Sequence, residues 1–293
     1  MSYTAAKIAH RVWQDLGKID VTEEFIASGG STTTVVNGKN GERNDRPEDN
    51  YSIDYTAIVV RTSGGSSAAP EGEMRRISSY VSFIYTHTVD TAFSAAVASG
   101  DLVAIANSDI PLQEMYRAIN GALVKMGDIP QVDSTLTSAS AQTEYTLPVA
   151  LKRDDLYRVE YQGQTGDTDN NVWTHIDKWD IIPAAPGSTG LLVIPQITSG
   201  RTIRLTYRAI HPRLSASTDT VSEYIHPSLL IPAVTKEVLR WFNGTTGGGE
   251  NYWLQRENEA AAELEDAKRM FPIWQPKPSP KYTNFQRVID NAT

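Results

Sequence analysis

The sequence predicts an α+β fold in which a four-helix core bundle carries two inserted antiparallel β modules and an extended C-terminal arm. Four segments have apolar residues at helical spacing, and they lie at the edges of two β-rich blocks. A helix of this length does not bury its apolar stripe alone, so we expect the four to pack on one another. Four prolines between Pro272 and Pro280 predict that the chain continues beyond the last helix as an extended arm.

Two helices are predicted in the N-terminal half from their apolar stripes and their end signals. The first spans roughly residues 3–16, and Gly17 is suited to the position that ends a helix. The second spans roughly residues 111–126, and Ser108 or Asp109 can cap its first turn. These two helices form one half of the expected bundle.

The C-terminal half adds a predicted helix hairpin. Residues 227–242 form its first helix, and Pro232 inside this segment should kink the helix or delay its start. Residues 250–271 form its second helix, which ends before Pro272. Because only a short glycine-rich loop separates the two helices, we expect them to pack antiparallel.

Two β-rich blocks separate the predicted helices. They contain short segments of strand composition, such as YSIDYTAIVVR and RTIRLTYRAI, divided by turns rich in glycine, serine and asparagine. Strands this short and this regularly separated favour antiparallel sandwiches or small barrels. The predicted domains are a bundle of residues 1–27, 109–130 and 222–271, β modules of residues 28–108 and 131–221, and an arm of residues 272–293.

Composition narrows the classes of function. Lys and Arg number 27 and Asp and Glu number 35, so the formal net charge is −8. Affinity for nucleic-acid phosphates needs basic patches, so this charge argues against a nucleic-acid-binding function. The chain has no cysteine, which excludes disulfides, thiolate metal sites and cysteine nucleophiles. No long apolar run occurs, so we expect no membrane span, and the polar N-terminal segment predicts synthesis in the cytoplasm without a signal peptide.

The groups that come closest to catalytic or ligand-binding motifs have simpler interpretations. His175 and Asp177 share a face of a predicted strand, and a surface pair explains them better than a metal site. The glycine-rich loop 244–249 precedes Glu250, which would repel a phosphate, so the loop is interpreted as a helix–helix turn. We therefore expect no active site, no cofactor and no metal ion.

The last predicted helix has an acidic side. Its candidate residues are Glu257, Glu259, Glu263 and Asp266. Two interpretations stay open: the carboxylates form an ordinary solvated face, or they line a negatively charged passage.

The predicted arm carries large apolar side chains, for which a purely solvated segment has little use. It holds three basic residues and one acidic residue, a net of +2, which leaves −10 for residues 1–271 out of the total of −8. An extended segment with aromatic anchors is suited to lie on its own body or on a partner. The candidate docking residues are Trp274, Lys277, Lys281, Tyr282, Phe285, Arg287 and Ile289.

Several stretches resemble the head-to-tail adaptor, or connector, proteins of tailed bacteriophages. They are the opening helix with its strand block, the phrase EGEMRRISSYVSFIYTHTVDTAFSAAVASGDLVAIA followed by MYRAINGAL, and the pair YIHPSLLIPAVTKEVLRWF and AAAELEDAKRMFP. That last pair looks like the helix hairpin of the adaptor bundle. The resemblance spans most of the chain and rests on patterns of size and polarity.

The resemblance implies a structural virion protein of the head–tail neck, assembled in the host cytoplasm. Identical subunits, commonly twelve, would form a ring between the portal protein and the tail or a further neck protein. DNA would pass through the ring without specific binding, and the C-terminal arm would dock on the portal.

Other classes of function stay open at this point. Trp173 and Trp179 are predicted to lie on one strand and to project to the same face, which would suit a glycan- or receptor-binding β module of a virion. A tail-completion protein lower in the neck is a neighbouring interpretation. An enzyme is the third class, for which the sequence offers no pairing of nucleophile and base.

Overall fold

Within the described residues, strands account for slightly more of the chain than helices do. The computed structural model describes residues 3–19, 23–38, 52–64, 68–149, 151, 153–163, 172–183, 185, 188–245 and 251–275. Its helices are α1 (Ala5–Asp15), α2 (Leu112–Lys125), α3 (Pro227–Thr245) and α4 (Asn251–Met270). Its strands are β1 (Glu24–Gly30), β2 (Thr34–Asn37), β3 (Thr56–Arg61), β4 (Met74–Val81), β5 (Thr86–Val89), β6 (Leu102–Ala106), β7 (Asp128–Thr137), β8 (Glu144–Thr146), β9 (Leu156–Gln162), β10 (Trp173–His175), β11 (Asp180–Ile182), β12 (Leu191–Val193) and β13 (Thr202–Ile210).

The prediction of a helical core bundle with two inserted β modules is wrong. Within the described residues, thirteen strands form three sheets, one of them a closed six-stranded barrel, so the architecture is mostly β. The sheets bury apolar clusters of their own, and α1 packs on barrel strands as well as on other helices. The helices therefore do not supply the core on which the rest of the chain is built.

The first β block is a closed antiparallel barrel with strand order β1-β2-β5-β4-β3-β6. Its interior is filled by an apolar cluster that includes Phe25, Ile77 and Val103. The alternate residues Ala104 and Ala106 of β6 are buried as well, and α1 packs on β6 and β3. Because both faces of β6 are covered, its sequence is a continuous apolar run without alternation.

Two buried carboxylates hold the loops of the barrel. Asp101 accepts hydrogen bonds from the backbone N–H of Ser63 at 2.7 Å and from its hydroxyl at 3.0 Å. Glu73 accepts from Arg75 Nη2 at 2.6 Å and from the backbone N–H of Ser94 at 3.0 Å. The carboxylates themselves are buried, Asp101 at 1% and Glu73 at 5% exposure, and these donors give them the partners that buried charged groups require, which is a structural role.

Contacts group residues 1–126 and 211–273 into one unit and residues 127–210 with the chain after 273 into a second. In the second unit, one sheet has the order β10-β9-β13-β7 and the other has the order β11-β12-β8. One apolar cluster, which includes Leu156, Leu192 and Leu205, joins the two sheets. Residues of β13 alternate between buried and half-buried over most of its length, as expected of a strand with one face on a core.

The ends of the helices confirm some sequence signals and correct others. The side chain of Thr4 caps α1, and Gly17 beyond its end has φ +65°, which confirms the predicted stop. Neither Ser108 nor Asp109 caps α2. Its N-cap is Pro111, which makes no side-chain capping bond, and Asp109 instead binds Lys18 Nζ at 2.7 Å.

The helices α3 and α4 pack as the predicted antiparallel hairpin. Near the turn, Asn243 Nδ2 donates to Glu257 Oε2 at 2.7 Å. At the opposite end, the rings of His226 and Phe271 stack with 4.0 Å between their centroids. Pro232 lies inside α3, which begins at Pro227, so the proline does not delay the start of the helix.

Several predicted features lie outside the described residues. They are most of the long turn at 38–50, parts of the turns at 63–72 and 162–171, most of the glycine-rich loop 244–249, and the arm from residue 276 onwards.

Candidate docking surfaces

The acidic candidates of α4 do not form one surface. Glu257 and Glu259 are two residues apart, so on a helix of 3.6 residues per turn they point in nearly opposite directions. Glu257 is half-buried and accepts the hydrogen bond from Asn243. Glu259 accepts from Arg256 Nη1 at 3.0 Å, on the other side of the helix. The structure therefore separates Glu257 from the remaining candidates.

Glu259 and Glu263 line a cleft of about 320 Å³ between α1, α3 and α4, which we call the polar cleft. Its other charged residues are Arg11, Asp15 and Arg256, so the charges of its lining sum to −1. The Arg256 guanidinium also donates to the backbone carbonyl of Asp15 at 3.1 Å and joins α4 to the end of α1. The cleft is thus only weakly negative, because arginines offset most of its carboxylates.

Asp266, the fourth acidic candidate, is exposed farther along α4. Its nearest cation is Arg269, whose Nη1 lies 3.9 Å from Asp266 Oδ1. Pairs of this kind on an exposed helix surface contribute a few tenths of a kcal/mol, so Asp266 keeps its charge available to solvent or to a partner.

The described start of the arm is anchored at one residue and exposed at another. Gln275 Nε2 donates to the carbonyl of Asp128 at 2.9 Å, and Tyr157 Oη lies 3.1 Å from Gln275 Oε1. The preceding Trp274 is 57% exposed. The remaining docking candidates, Lys277, Lys281, Tyr282, Phe285, Arg287 and Ile289, lie outside the described residues.

The barrel carries an apolar tip that was not predicted from the sequence. Between β4 and β5 a 3-10 turn presents Phe83, which is 90% exposed, and Ile84, which is 52% exposed. Tyr85 ends the turn with φ +51°, and its carbonyl accepts from the Asn37 backbone N–H at 3.0 Å. Residues 73–87, EMRRISSYVSFIYTH, have strand composition throughout, so the sequence alone favours one continuous strand here. In such a strand Phe83 would be unremarkable, whereas the turn exposes it.

A second cleft, of about 360 Å³, lies between α2, α3 and α4, and we call it the cationic cleft. Its floor is apolar and includes Leu229, Leu264 and Phe271. Its rim carries the side chains of Lys125, Lys236, Glu237, Arg240 and Lys268. An apolar floor with charged groups at its rim is the usual construction of a ligand-binding cleft.

Trp173 and Trp179 do not form the predicted pair on a common face. The prediction is wrong because β10 ends at His175, and Trp179 lies beyond the strand in an apolar core, 2% exposed. Trp173 packs against the guanidinium of Arg204, with 4.0 Å from the Arg204 carbon to the ring centroid. Trp179 is therefore not available to stack on a sugar.

The histidines have structural surroundings. His175 Nε2 lies 3.4 Å from Asp177 Oδ1, as expected of a surface pair. His87 is buried in the barrel, with its Nδ1 3.0 Å from the hydroxyl of Ser52 and its ring 4.6 Å from that of Tyr80. Burial lowers the pKa of His87 to about 4, so the ring is neutral at physiological pH.

Metal-ligand clusters and membrane-spanning helices are both absent from the described ranges. No group of three or more His, Asp or Glu side chains there is arranged to hold a metal ion. No described helix is both long enough and apolar enough to cross a bilayer.

Comparison with known proteins returns no match of either kind tested. No protein-family model matches the chain, and no curated protein matches it.

Proposed function

We propose that this chain is a structural virion protein that forms a ring between the portal and the tail of a tailed phage and docks on the portal through its C-terminal arm. The observation that carries the proposal is Trp274, which is 57% exposed beside an anchored Gln275. Exposed tryptophans at the start of a segment rich in proline and aromatic residues are typical binding anchors. The resemblance of the sequence to head-to-tail adaptors supports the same role.

A ring of identical subunits needs two different surfaces on each subunit, because every copy contacts its neighbours head to tail. The unit that contains the barrel offers several separate surfaces of this kind. Phe83 and Ile84 form an apolar tip, and the polar and cationic clefts flank the α3–α4 hairpin. These features support assembly through heterologous contacts.

The charge of the chain suits a passage through which DNA moves. Residues 1–271 carry a formal net charge of −10, since the remaining residues carry +2 of the total of −8. Glu259 and Glu263 share the polar cleft, and Asp266 is exposed on α4. Like charges repel the phosphate backbone, so such a surface leaves DNA mobile.

Attachment to DNA-filled heads that lack this protein tests the proposal. Labelled protein is mixed with such heads, and its attachment is measured by cosedimentation. We expect Trp274→Ala to weaken attachment by roughly 30-fold, because a buried aromatic anchor contributes about 2 kcal/mol. Tyr252→Ala is the matched control, since Tyr252 is 59% exposed on α4 but lies outside the arm, and it should attach like the wild type. Attachment of the Trp274 variant equal to that of the wild type would show that the arm does not bind the portal.

The same particles separate an adaptor from a tail-completion protein. Imaging of the neck should place the density of this chain directly against the portal, with rotational symmetry of a closed ring. Density one layer lower, with no contact to the portal, would assign the chain to tail completion.

A further inference from the structure

We propose that the cationic cleft binds an acidic segment of a partner protein, a segment that also carries large apolar side chains. The inference rests on the proposed function, because it names the chemistry of one docking partner. The charged rim of the cleft lies outside the arm and outside the acidic side of α4, although Pro272 and Ile273 at the start of the arm help to line the cleft. The inference is tested on the isolated protein.

The floor of the cleft is formed before any partner arrives. Leu229 and Ala233 of α3 are held in the helix–helix contact, and Phe271 forms a wall after the end of α4. The ring of Phe271 stacks on His226, whose Nδ1 accepts from the backbone N–H of Ser228 at 3.2 Å in the first turn of α3. An apolar cavity of about 360 Å³ is within the size range of pockets that take a small ligand or a few side chains. Such a preformed floor lowers the entropic cost of binding.

The rim has an excess of positive charge in an acidic protein. The side chains of Lys125, Lys236, Arg240 and Lys268 contribute four positive charges, and Glu237 contributes the single negative charge of the lining. The resulting +3 falls to +2 when Glu265, which binds Lys268 from outside the lining, is counted, and it still contrasts with the net charge of −8 for the whole chain. A ligand that complements this rim is anionic.

Helix termini explain part of this charge but not all of it. Lys125 and Lys268 lie in the last turns of α2 and α4, where cations favour the helix dipole. Each also forms an ion pair: Lys125 pairs with Glu237, and Lys268 Nζ lies 2.7 Å from Glu265 Oε1. Lys236 and Arg240 lie in the interior of α3, where the dipole gives them no such role. Arg240 forms no ion pair with any described residue, so its guanidinium is available to a carboxylate.

The combination of floor and rim selects the occupant. A nucleic-acid backbone complements the cations but not the apolar floor, and the net charge of the chain repels a long polyanion. A segment with glutamates or aspartates around one or two leucines or phenylalanines satisfies both parts. Helices with apolar anchors commonly dock in grooves between helices in this manner.

The test uses a fluorescein-labelled synthetic peptide, EELFEELF, and the purified full chain, with binding followed by fluorescence anisotropy. We expect the double variant Lys236→Glu/Arg240→Glu to bind the peptide at least about 30-fold more weakly, because it removes two charge-assisted contacts. The matched control is Arg117→Glu/Arg269→Glu. It makes the same change of charge at side chains that are 77% and 80% exposed and do not line the cleft. This control should bind the peptide no more than about threefold more weakly than the wild type, which is the effect expected of long-range charge.

A second experiment varies the peptide and leaves the protein unchanged. The analogue EESSEESS keeps the charge and lacks the apolar groups, and we expect it to bind at least about tenfold more weakly. Equal binding of the two peptides, or equal losses in the two double variants, would overturn the proposal in favour of nonspecific charge attraction. Saturable binding of anilinonaphthalene sulfonate at the cleft without peptide binding would overturn it in favour of a small anionic ligand.

The outcomes of this test and of the head-attachment test are separable. If EELFEELF binds as expected and Trp274→Ala attaches normally to heads, the cleft is a binding site and the proposed dock is wrong. If the peptide does not bind and Trp274→Ala fails to attach, the dock stands and the assignment of the cleft is wrong.

Discussion

The barrel and the α3–α4 hairpin lie in the same unit but use their apolar residues in different ways. The barrel strands pair around a closed ring, and residues such as Phe25 and Ile77 fill its interior. The helix α4 packs chiefly against α3, so one side of it is buried while the opposite side faces solvent. A closed sheet satisfies its own backbone groups, whereas a helix hairpin leaves faces and edges uncovered.

This difference explains where the candidate surfaces lie. Both clefts flank the hairpin, one between α1, α3 and α4 and the other between α2, α3 and α4. On the barrel, by contrast, the large exposed apolar groups concentrate at the tip around Phe83. We infer that the barrel acts as a rigid support and that the hairpin supplies both clefts, whereas the proposed portal dock is the arm.

The largest expected effect is the loss of the contact between α3 and α4. Ala267 is 4% exposed on α4, so Ala267→Glu buries an unpaired carboxylate and should lower the free energy of unfolding by about 4 kcal/mol. Ala262 is exposed on the same helix, and Ala262→Glu should change the free energy of unfolding by less than about 0.5 kcal/mol. Urea unfolding followed by circular dichroism measures both. Similar losses in the two variants would show that the hairpin does not depend on this contact.

The second-largest expected effect is a loss of stability at acidic pH, caused by His87 in the barrel. The folded-state pKa of His87 is lowered to about 4 from the 6.5 of an exposed imidazole, so the unfolded chain binds the proton first. The stability that the neutral ring contributes is complete above about pH 6.5 and declines as the pH falls towards 4, by roughly 3 kcal/mol in total. The measurement is urea unfolding between pH 7 and 4 for the wild type and for His87→Asn. The gap in stability between the two proteins should narrow as the pH falls, and a constant gap would contradict the prediction.

The smallest expected effect is at the barrel tip. Phe83 is 90% exposed, so Phe83→Ala should change the free energy of unfolding by less than about 0.5 kcal/mol. Phe25 provides the matched contrast, because it is 1% exposed in the same barrel and Phe25→Ala should cost about 3–5 kcal/mol. Thermal unfolding of the two variants provides the comparison. A large loss for Phe83→Ala would mean that the tip supports the barrel and is not a free surface.

The candidate surfaces were only partly predictable from the sequence. The spacing of carboxylates along α4 identified Glu259 and Glu263, which share a cleft, but it grouped them with Glu257, which faces the other way and binds Asn243. The cationic cleft could not be predicted, because its cations come from α2, α3 and α4, which are far apart in the sequence. The one local signal for it was a pair of basic residues, Lys236 and Arg240, one helical turn apart on α3.

The sequence by itself determined the features that depend on neighbouring residues. Apolar spacing located all four helices, Gly17 marked the end of the first, and the short loop predicted the antiparallel hairpin. Each of these signals acts within a few turns of the chain, where hydrogen bonds and side-chain spacing are local.

Only the tertiary structure decided the rest. Whether short strands close into a barrel depends on pairing between distant segments, such as β1 with β6, and no local pattern specifies that pairing. Burial of Trp179 and exposure of Phe83 follow from where β10 and β4 end, which composition does not reveal. A cluster of charges from three helices has a function only once packing has brought them to one rim, because electrostatic interactions depend on distance in space and not on separation along the chain.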